Sequence, residues 1–516
     1  MSSLGFQGIY GILNKRDDIV CERAFLPDEE DIEEHVRTKT PVFSLESKTP
    51  IDRFQIVAFS LSFENDYPNI LRILELSNIP IISSERNKYH PLLIAGGACM
   101  FFNPEPAAPV FDIIFIGEAE ESLNEFLDVL NSTAGIVSHD ASMGYSLKDE
   151  IKKSALVLRG VYIPEFYEIR YNQDGTISGR TPLYNAPAVI ERRYIRNLDE
   201  SLISHAVITP DTEFSEMCLL EIMRGCQWNC RFCMVGHVFN PPRRKSPDFV
   251  KKEIERAVLS SKRVGLIGPS LSDYHGIEDI LAIKGVDFSI TSLRASTESA
   301  AIAGLMKSHK SVSIAPEAGS ERLRRVINKK ITEEDILETS KIILESGIEA
   351  LRLYFMIGLP TETPEDISAI VGLAEKVRSL SAKGNIILSI SSFVPKPFTP
   401  FQWHPMEPVE SLKKKLKFIK KSLSSAKGIR VFHDLPKYAQ MQGLFAAGDR
   451  RVIKALKMMT GTNNWQKAAL LARVDIAYYL FRQKRFEEVL PWDFIDNGIS
   501  KKKLWDEYAD ALNVER

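Results

Sequence analysis

From about residue 216 the chain alternates short apolar runs with amphipathic helical stretches, and it does so six times. The runs are Leu219–Arg224, Arg263–Gly268, Asp287–Ser292, Ser311–Pro316, Ala350–Gly358 and Ile386–Phe393, with helical patterns between them such as Pro247–Leu259 and Pro364–Leu380. An apolar run without polar alternation reads as a strand covered on both faces, and helices returning between such strands make the sheet parallel. Six units in succession predict a partial (β/α)6 barrel over 213–405, with its functional site at the C-terminal ends of the strands.

The flanking regions read differently. Ile56–Ser62, Leu92–Gly97 and Asp112–Gly117 are apolar runs separated by helical stretches, which predicts a Rossmann-like parallel sheet over 1–135. Residues 136–212 form a β-rich connector, where an Asp174-Gly175 turn inside Tyr167–Ser178 reads as a hairpin. Residues 406–516 are helical and more charged, and the lysine runs at 413–421 and 501–503 are read as solvated helix faces. The fold class is therefore α/β with a helical C-terminal module. The 66 basic side chains nearly cancel the 68 acidic ones, so no basic field indicates nucleic acid. Without a long apolar run or a leader pattern the chain reads as cytoplasmic, with no membrane segment.

The first barrel run leads straight into Cys226, Cys230 and Cys233, a C-x3-C-x2-C spacing. Three thiolates on one loop bind three irons of a [4Fe–4S] cubane and leave the fourth iron open to a chelating ligand. The competing reading is a structural zinc site completed by His237. The place of the loop at a strand end in a βα series, and Phe232 before the last cysteine, favour the cluster. Cys21, Cys99 and Cys218 lie apart and read as small buried apolar residues.

Further motifs accompany the cysteine loop in order: CERAFLPD at 21–28, FSLSFENDYPNIL at 59–71, GG at 96–97, NPEP at 103–106, GEAEE at 117–121, SLRAS at 292–296, APEAGSERLRRVINK at 315–329, YFMIGLPTETPEDI at 354–367 and FVPKPFTPFQW at 393–403. With them the chain resembles, over nearly its whole length, the radical S-adenosylmethionine (SAM) proteins that carry an N-terminal cobalamin-binding domain. The resemblance implies a [4Fe–4S] cluster on Cys226, Cys230 and Cys233, SAM cleaved to a 5′-deoxyadenosyl radical, and an electron donor such as flavodoxin or ferredoxin. It places Phe232 beside the cluster and the SAM amine against Gly268–Ser270, where this chain reads GPS in place of glycine-glycine-glutamate. It puts Glu317 and Ser320 at the ribose, and Arg294 or Arg352 at the SAM carboxylate. The rival role for Glu317 is a cap on the helix starting near Ser320. Gly358–Glu362 is expected to shape the turn after the fifth strand, and Phe398, Phe401 and Trp403 either wall the barrel mouth or pack the C-terminal helices.

The chain departs from this pattern at its start. The Asp-x-His-x-x-Gly run of cobalamin domains that displace the lower axial base does not occur, and the opening residues resemble the helix that follows the first strand. Cobalamin bound without a histidine ligand would lie along the loops after Ser60–Glu64, Gly96–Gly97 and Gly117–Glu118; otherwise the domain serves packing or substrate recruitment. Three functions stay open: a SAM-radical enzyme, with methyl transfer if cobalamin binds; a methylthiotransferase-like enzyme that inserts sulfur; and a non-enzymatic zinc-binding interaction protein. Nothing in the sequence selects a substrate.

Overall fold

The computed structural model describes residues 3–139, 147–210, 212–290, 293–296, 299, 302, 310–462 and 464–514. After an opening helix, Leu4–Leu13, the three N-terminal apolar runs become Ile56–Ser60 (β1), Leu92–Gly96 (β2) and Ile113–Phe115 (β3). They pair in parallel in that order, with Ile56 opposite Leu92 and Ile94 opposite Ile113. Val161–Tyr162 (β4) adds an antiparallel edge. Leu92 to Ala95 and all of β3 are buried, as a strand covered on both faces requires. The connector forms the expected hairpin, Tyr167–Tyr171 (β5) with Ile177–Pro182 (β6), followed by Ile190–Glu191 (β7).

In the barrel, Met217–Glu221 (β8) continues into Met223–Arg224 (β9), which pairs antiparallel with Arg243–Arg244 (β10) and so closes the base of the cysteine loop. Arg263–Ile267 (β11) and Asp287–Ser289 (β12) lie parallel beside β8. Ser311–Glu317 (β13), Ala350–Ile357 (β14) and Asn385–Ser392 (β15) carry the parallel order onward, and a bridge between Leu293 and Ile314 joins the two halves. Residues 291 and 292 of the third expected run lie outside the described residues.

A seventh parallel strand, Ile429–His433 (β16), extends the sheet beyond β15. In the sequence this stretch reads as part of the helical module. The difference has a simple cause: β16 is the open edge of the barrel, no residue in it is buried, and it therefore lacks the continuous apolar signal of an interior strand. Along β14 burial alternates, Leu351, Leu353, Phe355 and Ile357 lying under the helices while Arg352, Tyr354 and Met356 face the lumen.

The C-terminal helices and the N-terminal sheet share one core. Phe401, Trp403, Phe445 and Trp492 are buried with Phe111 and Phe126 in the same apolar cluster, and the rings of Trp403 and Trp505 meet edge to face at 5.1 Å. The aromatic segment after β15 thus packs the C-terminal helices and does not wall the barrel mouth. Ile495–Asp496 (β17) pairs with β7 and returns the last part of the chain to the connector. Glu105 of the NPEP motif is wholly buried, 3.0 Å from Arg450, 3.1 Å from Arg180 and hydrogen-bonded by Tyr162, so one carboxylate joins the sheet, the hairpin and the C-terminal helices. Most of the 413–421 lysines are exposed as expected; Lys415 instead bridges Glu362 and Glu407. Among the described residues no helix is long and apolar enough to cross a membrane.

Candidate active site

The cysteine loop leaves β9 through Gly225, whose φ is +82°. A Cβ there would lie 2.3 Å from the carbonyl oxygen of Phe239, so only glycine fits. Gly225→Ala is expected to strain the loop by roughly 3 kcal/mol and to lower iron content after reconstitution, as measured by colorimetric iron assay beside a thermal melt.

Cys230 is buried, with Cys226 and Cys233 partly so. Burial pushes the Cys230 thiol up, Lys329 and Arg294 pull it down, and Glu317 and Cys226 push it up again. Burial and the neighbouring Cys230 push Cys233 up to about 12. Among the described residues no three His, Cys, Asp or Glu side chains converge on a single ion position. His237 is buried, and its Nε2 lies 3.2 Å from the Cys230 carbonyl oxygen.

Beside the loop the Arg294 guanidinium stacks on the Trp228 ring at 3.7 Å and donates to the carbonyls of Lys329 and Lys330, each at 2.7 Å. Trp228 Nε1 in turn donates to Asp273. Trp228, Ser272, Asp273, Arg294, Lys330 and Asp335 line part of a cavity of about 670 Å³ at the C-terminal strand ends. In the loop after β11, Ser270 and Ser272 are buried and neither hydroxyl has a hydrogen-bond partner. Buried hydroxyls are nearly always paired, so two unpaired ones in a single loop are unusual. That is the loop to which the resemblance assigns the SAM amine, and the residues fit it. Ser272 carries no sequence signal of its own; its unpaired state is visible only in three dimensions.

The other expected residues divide. Glu317, at φ +68°, ends β13 after a register shift and faces Lys329 at 3.2 Å, on the Cys230 side. Ser320 is the helix cap: its hydroxyl accepts from the Leu323 N–H at 3.1 Å and donates to Asp366, so the role weighed for Glu317 falls to Ser320, whose hydroxyl proton is committed. Gly268 packs so closely that a Cβ would come 2.8 Å from Leu271, a backbone role. Arg352 points into the lumen from the middle of β14, donates to Ser389 Oγ at 2.8 Å, and is not among the cavity residues. Phe232 is partly buried against the main core. Glu362 shapes the turn after β14 by accepting from the Gly358 N–H at 3.0 Å.

The expected corrin seat does not fit. At the first loop Glu64 is buried, ion-paired with Lys396 and bonded to Gln442 at 2.8 Å. At the second, Gly97 packs against Leu61, 2.6 Å from where its Cβ would be, and Asn103 donates to the carbonyls of Ala446 and Gly448 at 2.9 and 2.8 Å. At the third, Gly117 pairs with Arg193, whose carbonyl would lie 2.1 Å from a Cβ, and Glu118 is buried against Arg224 and Arg243. The strand-end edge is covered by segments from the connector, the barrel and the C-terminal helices. Protein incubated with hydroxocobalamin and passed through gel filtration is therefore expected to keep no corrin absorbance.

Two family models match the chain, radical SAM proteins, N-terminal, over residues 5–164 and the radical SAM superfamily over 220–374. An uncharacterized protein of Methanocaldococcus jannaschii is 33% identical over 423 residues, covering 80% of this chain and 82% of the relative. A ribosomal protein uS12 methylthiotransferase of Thermodesulfovibrio yellowstonii is 29% identical over 31% of this chain and 41% of its own length. An uncharacterized methyltransferase of Pyrococcus horikoshii is 26% identical over 55% of this chain and 58% of its own length. The chain thus spans less than two thirds of these last two relatives. Among solved structures, the cobalamin-dependent SAM radical enzyme OxsB with aqua-cobalamin and SAM bound aligns with a TM-score of 0.49 at 13% identity, covering 99% of this chain and 77% of that one. The two matched regions, the relative aligned over most of both lengths and the cysteine loop at a barrel strand end agree: the chain belongs to the radical SAM superfamily.

Proposed function

We propose that this protein is a cytoplasmic enzyme that binds a [4Fe–4S] cluster through Cys226, Cys230 and Cys233 and cleaves SAM to a 5′-deoxyadenosyl radical, which takes hydrogen from an organic substrate. The observation that carries the reading is the three-cysteine loop set against a polar cavity that Ser272, one of two unpartnered buried serines in the loop after β11, helps to line. When bound, the cluster supplies the electron that breaks the C–S bond of SAM, and a flavodoxin or ferredoxin replaces it. The chain's own residues orient and shield. Ser270 and Ser272 accept hydrogen bonds from the SAM amine, Arg294 offers its guanidinium edge to the SAM carboxylate, and Glu317 holds Lys329 beside the loop. A cavity of about 670 Å³ lies within the usual range for such ligands, about 300 to 1,000 Å³.

Sulfur insertion is the second reading, supported by the relative named as a methylthiotransferase. It would require further iron ligands. Cys21, Cys99 and Cys218 lie in a loop, a helix and β8, and among the described residues no group of three ligands gathers around them. Methyl transfer through cobalamin ranks below both, because the loops that would seat a corrin are engaged elsewhere.

Anaerobic reconstitution with iron and sulfide, followed by a 5′-deoxyadenosine assay under a strong reductant, tests the proposal. About four irons per chain with SAM-dependent deoxyadenosine is the expected result. About eight irons would favour the second reading, and a colourless protein with one zinc and no SAM cleavage would overturn the first.

A further inference from the structure

We propose that Glu118, on the loop after β3, is a positioning residue for the cluster, holding shut the base of the cysteine loop by neutralising two arginines that face each other across it. The proposal rests on the cysteine loop carrying the cluster. Residues 225–242 leave and return through the two-residue pair of β9 and β10, in which Arg224 stands directly opposite Arg243. Like charges opposed across an antiparallel pair repel, and a pairing this short has few ladder bonds to resist the repulsion. Both guanidiniums are also buried, with side-chain exposures of 10% and 5%, so salt screens them little.

Glu118 answers both charges at once. Its Oε1 lies 2.6 Å from Arg243 Nη2, and its Oε2 lies 2.8 Å from Arg243 Nη1 and 2.7 Å from Arg224 Nη1. The carboxylate is fixed from behind, its Oε2 accepting the Ile195 N–H at 3.0 Å and its own backbone N–H donating to the Arg193 carbonyl at 2.9 Å. The two arginines depend on it unequally. Arg224 has two further carboxylates, Glu120 at 2.9 Å and Glu221 at 2.6 Å. The remaining bonds of Arg243 go to the carbonyls of Ile195 and Pro241. Without Glu118, Arg243 is a buried cation with no carboxylate at the neck of the loop, while Arg224 keeps Glu120 and Glu221. The loop that would seat a corrin in this fold thus serves as a clamp on the cluster loop.

The test is Glu118→Gln in the full-length protein, reconstituted anaerobically. The substitution keeps shape and removes charge. Iron retained on dilution is expected to fall roughly tenfold, the scale for losing a partner that orients metal ligands. The electron paramagnetic resonance signal of the reduced cluster, with and without SAM, should change with it. Asp112→Asn is the control, because it breaks the buried Arg86–Asp112 pair at the other end of the same strand. It is expected to lower the melting temperature and leave iron and spectrum unchanged. Adding Arg243→Gln to Glu118→Gln removes one of the facing charges and should restore iron. Wild-type iron in Glu118→Gln, equal iron loss in Asp112→Asn, or no rescue by the double variant would each overturn the clamp. A wild-type protein that takes up no iron would instead overturn the proposed function.

Discussion

Cys230→Ala is expected to lose its iron and to form no more 5′-deoxyadenosine than a protein-free control, while the fold survives. Cys230 is the buried middle member of the loop, with Cys226, Arg294, Lys329 and Glu317 close enough to shift its ionisation. Two remaining thiolates hold only two corners of a cubane, and with the third corner lost the open iron is no longer presented to SAM. The packing cost is small, since alanine removes one sulfur from a small side chain. Cys218→Ala is the matched control. Cys218 sits partly buried within β8, apart from the C-x3-C-x2-C loop. Its variant should keep wild-type iron and activity. Iron loss in both variants, or in neither, would remove the assignment of Cys230 as a ligand.

Glu105→Ala is expected to destabilise the whole protein by roughly 3–5 kcal/mol, the scale for removing one partner of a buried ion pair. The alanine leaves Arg180 and Arg450 facing each other in a dry site, with Tyr162 lacking its acceptor. Because the three partners belong to the hairpin, the C-terminal helices and the sheet, the melt should shift as one transition and not as the loss of a single domain. The pH dependence has a definite sign. Burial pushes the Glu105 carboxyl up, but Arg180 and Arg450 more than offset it and hold the group at about 2, below its ordinary 4.5. A group depressed in the folded state adds stability in full above its unfolded pKa, and this is lost as pH falls toward the folded value. The gap between wild type and Glu105→Ala should therefore be constant above pH of about 4.5 and narrow between about 4.5 and 2. Denaturant titrations of both proteins at neutral and acid pH would show it, and a gap that widened in acid would contradict the assignment.

The six barrel strands and the three strands of the N-terminal sheet were legible because they recur as short runs alternating with helical patterns. The edge strand Ile429–His433 was not, because an edge need not be apolar. The aromatic segment 393–403 could be read as a wall or as packing, since phenylalanine and tryptophan suit both. Its burial against Trp505 and Tyr508 decided for packing. Ser320 and Glu317 are three residues apart at one strand end, yet the hydroxyl serves as a cap while the carboxylate pairs with Lys329. That difference depends on a positive φ and on Asp366, neither of which leaves a pattern in the chain.

By itself the sequence determined the order of the N-terminal and first six barrel strands and the place of three thiolates on one loop, because periodicity and C-x3-C-x2-C spacing are local properties of neighbouring residues. Tertiary structure alone decided what the N-terminal sheet does with its strand ends. The same GEAEE loop would read equally well as a ligand seat, but Glu118 meets Arg243 across 125 residues of chain. A pairing at that separation is set by how the domains pack, and no local pattern records it.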